Sequence, residues 1–293
     1  MQLKHILFQV FRRVARGIGG KGLGLHRMGF LDRLYRRLFR LLSPSELTVV
    51  DVHGAKLAVN PADKTLRDSL LIFGTHEDYE TWVLKSRIKP GMTFVDVGAN
   101  VGYYTVISAA LVGPSGRVFC FEPDALNYSF LQKSIALNGF DHVHPFQLAL
   151  TDRAGKATLY LSEGLGSHSL GLQDGNTAQV EVDVARLDDL PALAEQGVDF
   201  IKIDVQGAEL SVLKGSQHIL SKWKPSILAE FEPRCLEKFG VSGDEFLNYV
   251  ENLGYRITLL DPDARAQIPY TREALLERTA ARGYLNILLE QGN

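Results

Sequence analysis

The stretch FVDVGANVGYYT, residues 94–105, gathers residue types that could hold a charged small molecule. Asp96 falls near the end of an apolar run, and Gly98 and Gly102 lie in the turn that feeds a helical pattern. Gly98 would let backbone pass close to a ligand where a Cβ collides. Asn100 stands where a dinucleotide fingerprint needs its second glycine, and its side chain fills room the pyrophosphate requires. An acid beside such a turn suits a ligand with a positive amino-acid head. The sulfonium, ammonium and carboxylate of S-adenosylmethionine fit that description.

Two further carboxylate positions follow. Glu122 comes directly after the apolar residues 118–121 and before Pro123. One βα unit beyond the first turn, its carboxylate can accept both hydroxyls of a ribose, at roughly 1.5–3 kcal/mol per charge-assisted bond. Its plainer role is a helix N-terminal acid that satisfies amides. In IKIDVQGAEL, residues 201–210, Asp204 ends an apolar strand and Gly207 opens a helix. That places a carboxylate in the central crevice, where it can position a substrate hydroxyl or the methionine part of a cofactor. Residues 227–231 lead to Glu230 and Glu232 at another strand tip. With either of these, Asp204 could instead bind a divalent cation, which prefers oxygen ligands; the plain alternative for Asp204 is helix capping.

The elements that must carry these groups read as α/β from about residue 47. A hairpin over 47–52 and 56–59 turns at His53-Gly54, and helices follow over 65–73 and 77–86. Strands are expected over 93–97, 117–121, 143–148, 157–161, 180–184, 200–205, 226–231, 256–260 and 284–289. Helices are expected over 103–111, 125–138, 187–195, 209–221 and 244–253. Continuous apolar strands imply burial on both faces of a mostly parallel sheet. A ligand crevice then lies at the carboxyl ends of the central strands. A Gly/Ser-rich excursion over 162–176 is expected as a loop.

The 293 residues carry a net charge of -2 that hides an asymmetry. Residues 1–42 hold ten Lys/Arg against one acid, Asp32, a local charge of +9. The remainder has 22 basic and 33 acidic residues, or -11. Within the arm, Leu3, Ile6, Leu7, Val10, Phe11 and Val14 mark one helical face. Such a helix either lies on an anionic membrane surface or packs on the main domain. The match of Gly17, Gly19 and Gly22 to GxGxxG follows a basic helix rather than a strand, so these glycines read as a hinge. No run reaches the roughly eighteen apolar residues of a membrane span. The start is a poor secretory signal, interrupted by Gln9 and then Arg12 and Arg13, so a cytoplasmic location, peripheral to the inner membrane face at most, is expected. Cys120 and Cys235 read as buried thiols in a reducing compartment.

Several strings together resemble the FkbM family of S-adenosylmethionine-dependent methyltransferases: THEDYE (75–80), KPGMTFVDVGANVGYYT (89–105), FEPD (121–124), ALTDRAGKATLY (149–160) and IKIDVQGAEL (201–210). The resemblance covers roughly 47–289. It implies an α/β, class I methyltransferase-like (Rossmann-like), seven-stranded mostly parallel sheet with helices on both faces, the last strand inserted antiparallel. A basic helical extension, 1–46, precedes that domain, 47–293. The resemblance also implies methyl transfer to a hydroxyl of a sugar, glycolipid or related natural product. By it, Asp96, Gly98, Asn100 and Gly102 form the cofactor loop, with Thr105 at the start of its helix. Glu122 holds the ribose, Leu150 and Asp152 border adenine, and Asp204 faces the methyl-transfer centre. Family members often carry Glu where this chain has Gln206, which weakens any base or metal role there.

Candidates for a base are Asp204, Glu230, His76 and His168, the last in the Gly/Ser-rich excursion, where a merely solvated histidine is the commoner case. A metal, not otherwise indicated, would fall to Asp204, Glu230 and Glu232. Two other readings are a cofactor-binding module without turnover and an amino-group methyltransferase. The acidic body argues against nucleic acid, whose phosphates want basic charge near the site. The expected partner is a small-molecule, saccharide or lipid-linked acceptor, with membrane contact through 1–42 as a further option; the oligomeric state is left open.

Overall fold

The computed structural model describes residues 48–60, 64–162, 168–172 and 176–292. The basic arm, its glycine hinge and the extension over 1–46 therefore lie outside the described residues.

Strands β1 (Thr48–Val52) and β2 (Ala55–Val59) form the expected hairpin. His53 and Gly54, at φ 50° and 93°, supply the two left-handed residues that a tight hairpin turn demands. Helices α1 (Lys64–Phe73) and α2 (Asp78–Arg87) follow, and then β3 (Thr93–Val97), α3 (Tyr103–Val112), β4 (Arg117–Phe121), α4 (Ala125–Asn138) and β5 (Val143–Phe146) alternate. Asp124 caps α4 by accepting the Asn127 N–H at 2.8 Å. The hairpin is pinned over α4, where Asn138 bonds both the N–H and the C=O of Lys56.

The strand expected over 143–148 ends at Phe146. After β5 the chain leaves the main sheet, and β6 (Ala149–Leu150) joins β7 (Gly155–Ser162) and β8 (Asn176–Ala185) in a separate three-stranded sheet ordered β6-β8-β7. The helix expected over 187–195 divides into a single 3-10 turn over 187–189 and α5 (Pro191–Gln196), because Pro191 cannot continue a preceding helix.

Next come β9 (Phe200–Ile203), α6 (Glu209–Lys214) and α7 (Gln217–Trp223). The single helix expected over 209–221 breaks at Gly215. A Cβ there would lie 1.9 Å from the Thr151 carbonyl oxygen, so the break lets the chain press against the neighbouring loop. Strand β10 (Ser226–Phe231), α8 (Pro233–Lys238), α9 (Gly243–Asn252), β11 (Tyr255–Asp261), β12 (Ala266–Pro269), α10 (Arg272–Arg282) and β13 (Leu285–Gln291) complete the chain. Sequence patterning gave no sign of α8, β12 or α10. Their faces are short or strongly polar, so no periodicity stands out.

The main sheet has the order β12-β11-β13-β10-β9-β3-β4-β5. β13 is inserted between β10 and β11 and runs antiparallel to both, as expected; β9, β3, β4, β5 and β10 are mutually parallel. β12 adds an eighth strand at the edge, antiparallel to β11. Alternation along the central strands makes two cores. Phe94 and Phe200 face the side covered by α2, α3 and the hairpin, while Val95, Val97, Ile201 and Ile203 face the opposite side. The strand order turns back between β3 and β9, and a crevice opens there at the carboxyl ends of the strands.

Candidate active site

The crevice holds about 680 Å³ of empty space, open solvent at its mouth included. It is lined by residues from three strand ends and from the small sheet: Gly98 and Asn100 after β3, Glu122 after β4, Ala149, Leu150 and Leu159 from the small sheet, and Asp204 and Gln206 after β9.

The turn after β3 is held by its neighbours. Gly98 and Ala99 donate their N–H groups to the Phe121 carbonyl at 3.0 and 2.9 Å. Gly98 has φ +82°, and a Cβ there would fall 1.9 Å from the carbonyl oxygen of Asp204. The close approach that requires this glycine is thus to the next strand rather than to a ligand, which corrects the reason expected from sequence. Asn100 is also left-handed, at φ 52°. Its N–H donates to Glu122 Oε2 at 2.8 Å, and its Oδ1 is buried with no partner among the described residues.

Asp96 does not line the crevice. It is 2% exposed and accepts a 2.6 Å bond from the Thr105 hydroxyl, so the two lock β3 to α3 beneath the turn. Burial lifts its carboxyl to about 6, against the opposing pull of Thr105 and Lys202. Glu122 does line the crevice. Its oxygens accept the N–H groups of Asn100 and Asp124, at 2.8 and 2.9 Å, yet burial pushes the carboxyl up to about 8, helped by Asp124 and Asp96. Leu150 lies on the wall as expected. Asp152 does not: it is exposed, outside the lining, with its N–H on the Ser211 hydroxyl at 3.2 Å.

Asp204 carries the electrostatics of the other wall. Its side chain is 33% exposed, while Lys202 beside it is 1% exposed, with Nζ 3.3 Å from Asp204 Oδ2. Gln206 Nε2 spans two acids, donating to Asp204 Oδ1 at 3.1 Å and to Glu230 Oε2 at 2.9 Å. Burial opposes the Asp204 charge, but Lys202, Gln206 and His76 outweigh it and hold the carboxyl below the usual range. Glu230, 7% exposed, goes the other way: burial, and then the Asp204 charge, push it well above. The pair therefore holds one negative charge and one proton. Asp204 does not cap a helix, and the helix that follows starts without a side-chain cap; Glu209 instead braces the loop before it, its Oε1 accepting the N–H groups of Val205 and Gly207, and burial lifts its carboxyl to about 7.

Lys202 was missed in the sequence, although a lysine amid Phe200, Ile201 and Ile203 was a visible signal. Burial works against its ammonium, but Asp204, Glu77, Glu230 and Asp96 together hold it above the ordinary lysine value. His76 stands outside the crevice lining, in the loop before α2, close enough for its charge to act on Asp204. His168 lines the crevice beside Ser169, and its Nδ1 accepts the Ser162 N–H at 3.2 Å. Glu232 occupies the position just before α8, without a side-chain cap bond, and is absent from the lining. Among the described residues no cluster of three His, Cys, Asp or Glu side chains could hold a metal ion. With Lys202 on one Asp204 oxygen and Gln206 on the other, the donor set there does not suit a cation.

For S-adenosylmethionine the residues do fit. A carboxylate faces the crevice at Glu122, an unpartnered amide oxygen waits at Asn100, and Phe121, Leu150 and Leu159 give apolar walls for a purine. A parallel α/β sheet with one antiparallel insertion, an acid-and-glycine turn after its first central strand and an acid at the next strand tip define a class I methyltransferase fold. Residues 96–257 match the family model described as the methyltransferase FkbM domain, and the chain belongs to that S-adenosylmethionine-dependent family. It is 27% identical over 173 residues to methyltransferase sdnD of Sordaria araneosa, covering 45% of this chain and 66% of that protein. It is 28% identical over 151 residues to 2-O-methyltransferase NoeI of Sinorhizobium fredii (strain NBRC 101917 / NGR234), covering 46% and 61%. The matched part thus spans under two thirds of each relative. Solved structures with similarity include a methyltransferase FkbM from Methylobacillus flagellatus KT, at TM-score 0.42 and 17% identity over 76% of this chain and 52% of that one. No described helix is long and apolar enough to cross a membrane.

Proposed function

We propose that this chain transfers the methyl group of S-adenosylmethionine to a hydroxyl of a saccharide or lipid-linked acceptor. The observation that carries the reading is the ionised, one-third exposed Asp204 carboxylate, fixed by Lys202 and Gln206 in the same crevice as Glu122. The relative named a 2-O-methyltransferase supports oxygen as the acceptor atom.

When bound, the cofactor supplies a methyl group already activated by its sulfonium, so the protein's work is positioning and proton removal. Glu122 would accept the ribose hydroxyls, and Asn100 Oδ1 would take a donor of the cofactor. Leu150, Leu159 and Phe121 would exclude water around the purine. On the facing wall Asp204 accepts the hydrogen bond of the acceptor hydroxyl and aims its oxygen. A carboxyl held this low orients better than it takes a proton, and Glu230 already carries one. His76, in the loop before α2 and outside the crevice lining, is left as the candidate that would receive the proton. His168 serves as wall.

Methyl transfer from labelled cofactor to a panel of neutral and lipid-linked saccharides tests the reading. Asp204→Asn should lower the rate by about a hundredfold, with cofactor affinity changed less than about threefold. No cofactor binding at millimolar concentration would overturn the assignment.

The Glu122 carboxyl sets a pH dependence. Below about 8 it is largely protonated in the free protein, and ribose hydroxyls donate to its ionised form, so binding releases a proton. Affinity should therefore rise by up to about tenfold per pH unit towards 8 and then level off, as titration calorimetry over pH 6–9 would show. A flat profile would mean that Glu122 is ionised before the ligand arrives.

A further inference from the structure

The loop that carries His76 and Glu77 is fastened by the two tyrosines that follow the cofactor turn. Tyr103 Oη donates to the His76 carbonyl at 2.8 Å and accepts the His76 N–H at 3.1 Å. It also lies 3.2 Å from the hydroxyls of both Thr75 and Thr81, so one phenol spans both ends of the 75–81 segment. The His76 ring stands edge-on to Tyr103, with centroids 5.7 Å apart. Tyr104 Oη donates to Glu77 Oε2 at 2.7 Å, and the other Glu77 oxygen meets Asn286 Nδ2 at 3.4 Å. Glu77 itself is left-handed, at φ 44° and ψ 59°, a conformation that non-glycine residues keep only when their surroundings impose it.

The same tyrosines belong to the cofactor side. They are the first two residues of α3, immediately after Gly102, and are 4% and 8% exposed. Lys202, which fixes Asp204, places its ammonium 5.3 Å from the Tyr104 ring centroid. A single helical turn thus meets the cofactor loop through its backbone and the 75–81 loop through its side chains. Both tyrosines are buried and hydrogen-bonded to the loop, so close packing passes a restraint on the turn to the loop.

We propose that Tyr103 and Tyr104 are positioning residues that couple the two halves of the site, so that cofactor binding in the 98–102 turn sets His76 and Glu77 in place for the acceptor. This rests on the crevice being the cofactor site. The coupling is reciprocal: a loop already ordered by Tyr103 and Tyr104 favours a turn that is ready to bind. The acceptor side would then be held more firmly on a loaded enzyme.

The test is amide hydrogen exchange on the full chain with and without S-adenosylmethionine, alongside calorimetry. In the native protein, saturating cofactor should slow exchange across 75–81 by about tenfold or more, the His76 amide most of all. Tyr103→Phe should abolish that cofactor-dependent slowing and weaken cofactor binding by at most about tenfold, the reciprocal of the coupling it removes. A merely structural tyrosine would raise exchange equally in the free and bound states. Should Tyr103→Phe fail to fold, Thr81→Val removes one partner of the same hydroxyl and should reduce the response by about half. A native protein that binds cofactor with no change over 75–81, or a Tyr103→Phe protein with the full response, overturns the coupling. A native protein that binds no cofactor overturns instead the functional reading.

Discussion

Glu122→Ala is expected to weaken S-adenosylmethionine binding by on the order of a hundredfold at pH 8 and above, where the carboxyl is ionised. The carboxylate offers two charge-assisted acceptors for ribose, each contributing roughly 1.5–3 kcal/mol, and 1.4 kcal/mol is a factor of ten. The loss is compounded locally, because the Asn100 and Asp124 N–H groups both end on this side chain. Removing it leaves the Asn100 amide without its partner and loosens the turn on which the ligand would sit. Glu122→Gln keeps one acceptor oxygen and the packing, so it should lose only about tenfold. Calorimetry on both variants separates the contributions. An unchanged affinity in the alanine variant would remove the ribose assignment, whatever the enzyme's rate.

Lys202→Met is the second large effect, and it concerns stability first. The ammonium is 1% exposed and neutralises a wall made of Asp204, Glu230, Asp96 and Glu77. Deleting one member of a buried ion pair typically costs about 3–5 kcal/mol, because the partner's charge is left uncompensated. For a domain of this size that corresponds to a fall in Tm on the order of 10 °C. The sign of the pH dependence follows. Without Lys202 the Asp204 carboxyl, still buried beside other acids, moves above its unfolded value. Its stabilising contribution is then present at low pH and lost as pH rises through the folded value. The deficit should be largest near pH 8 and shrink towards pH 5, as thermal melts of native and variant proteins across that range would show. A deficit independent of pH would mean that lost packing, not charge, is the cause.

The parts of the site that were legible in sequence share one property: they lie at the ends of strongly apolar strands. Glu122 after 118–121 and Asp204 after 200–203 could be assigned to strand tips because β-strand burial fixes where the apolar run must stop. The lysine at 202 was equally visible but was read as part of the run. Its meaning depends on pairing, since Lys202 stands opposite Asp96 on one side and Leu228 on the other, and strand register is not written locally. Gln206 is similar. As a departure from the family pattern it suggested loss, whereas in the fold its amide spans Asp204 and Glu230, a bond across 24 residues of sequence.

The order of secondary elements up to β10, with α9, β11 and β13, the carboxyl-end crevice and the acids at 122 and 204 could be read from patterning, because apolar periodicity and turn residues act over a few neighbours; α8, β12 and α10 could not. The tertiary structure decided which groups share an environment. It set Asp96 behind the turn with Thr105, put Asp152 outside the lining, and tied residues 75–77 to Tyr103 and Tyr104 across some 27 positions of chain. Burial and long-range contact fix which carboxyl stays charged and which side chain can reach a ligand, and both are properties of the packed sheet rather than of any local stretch.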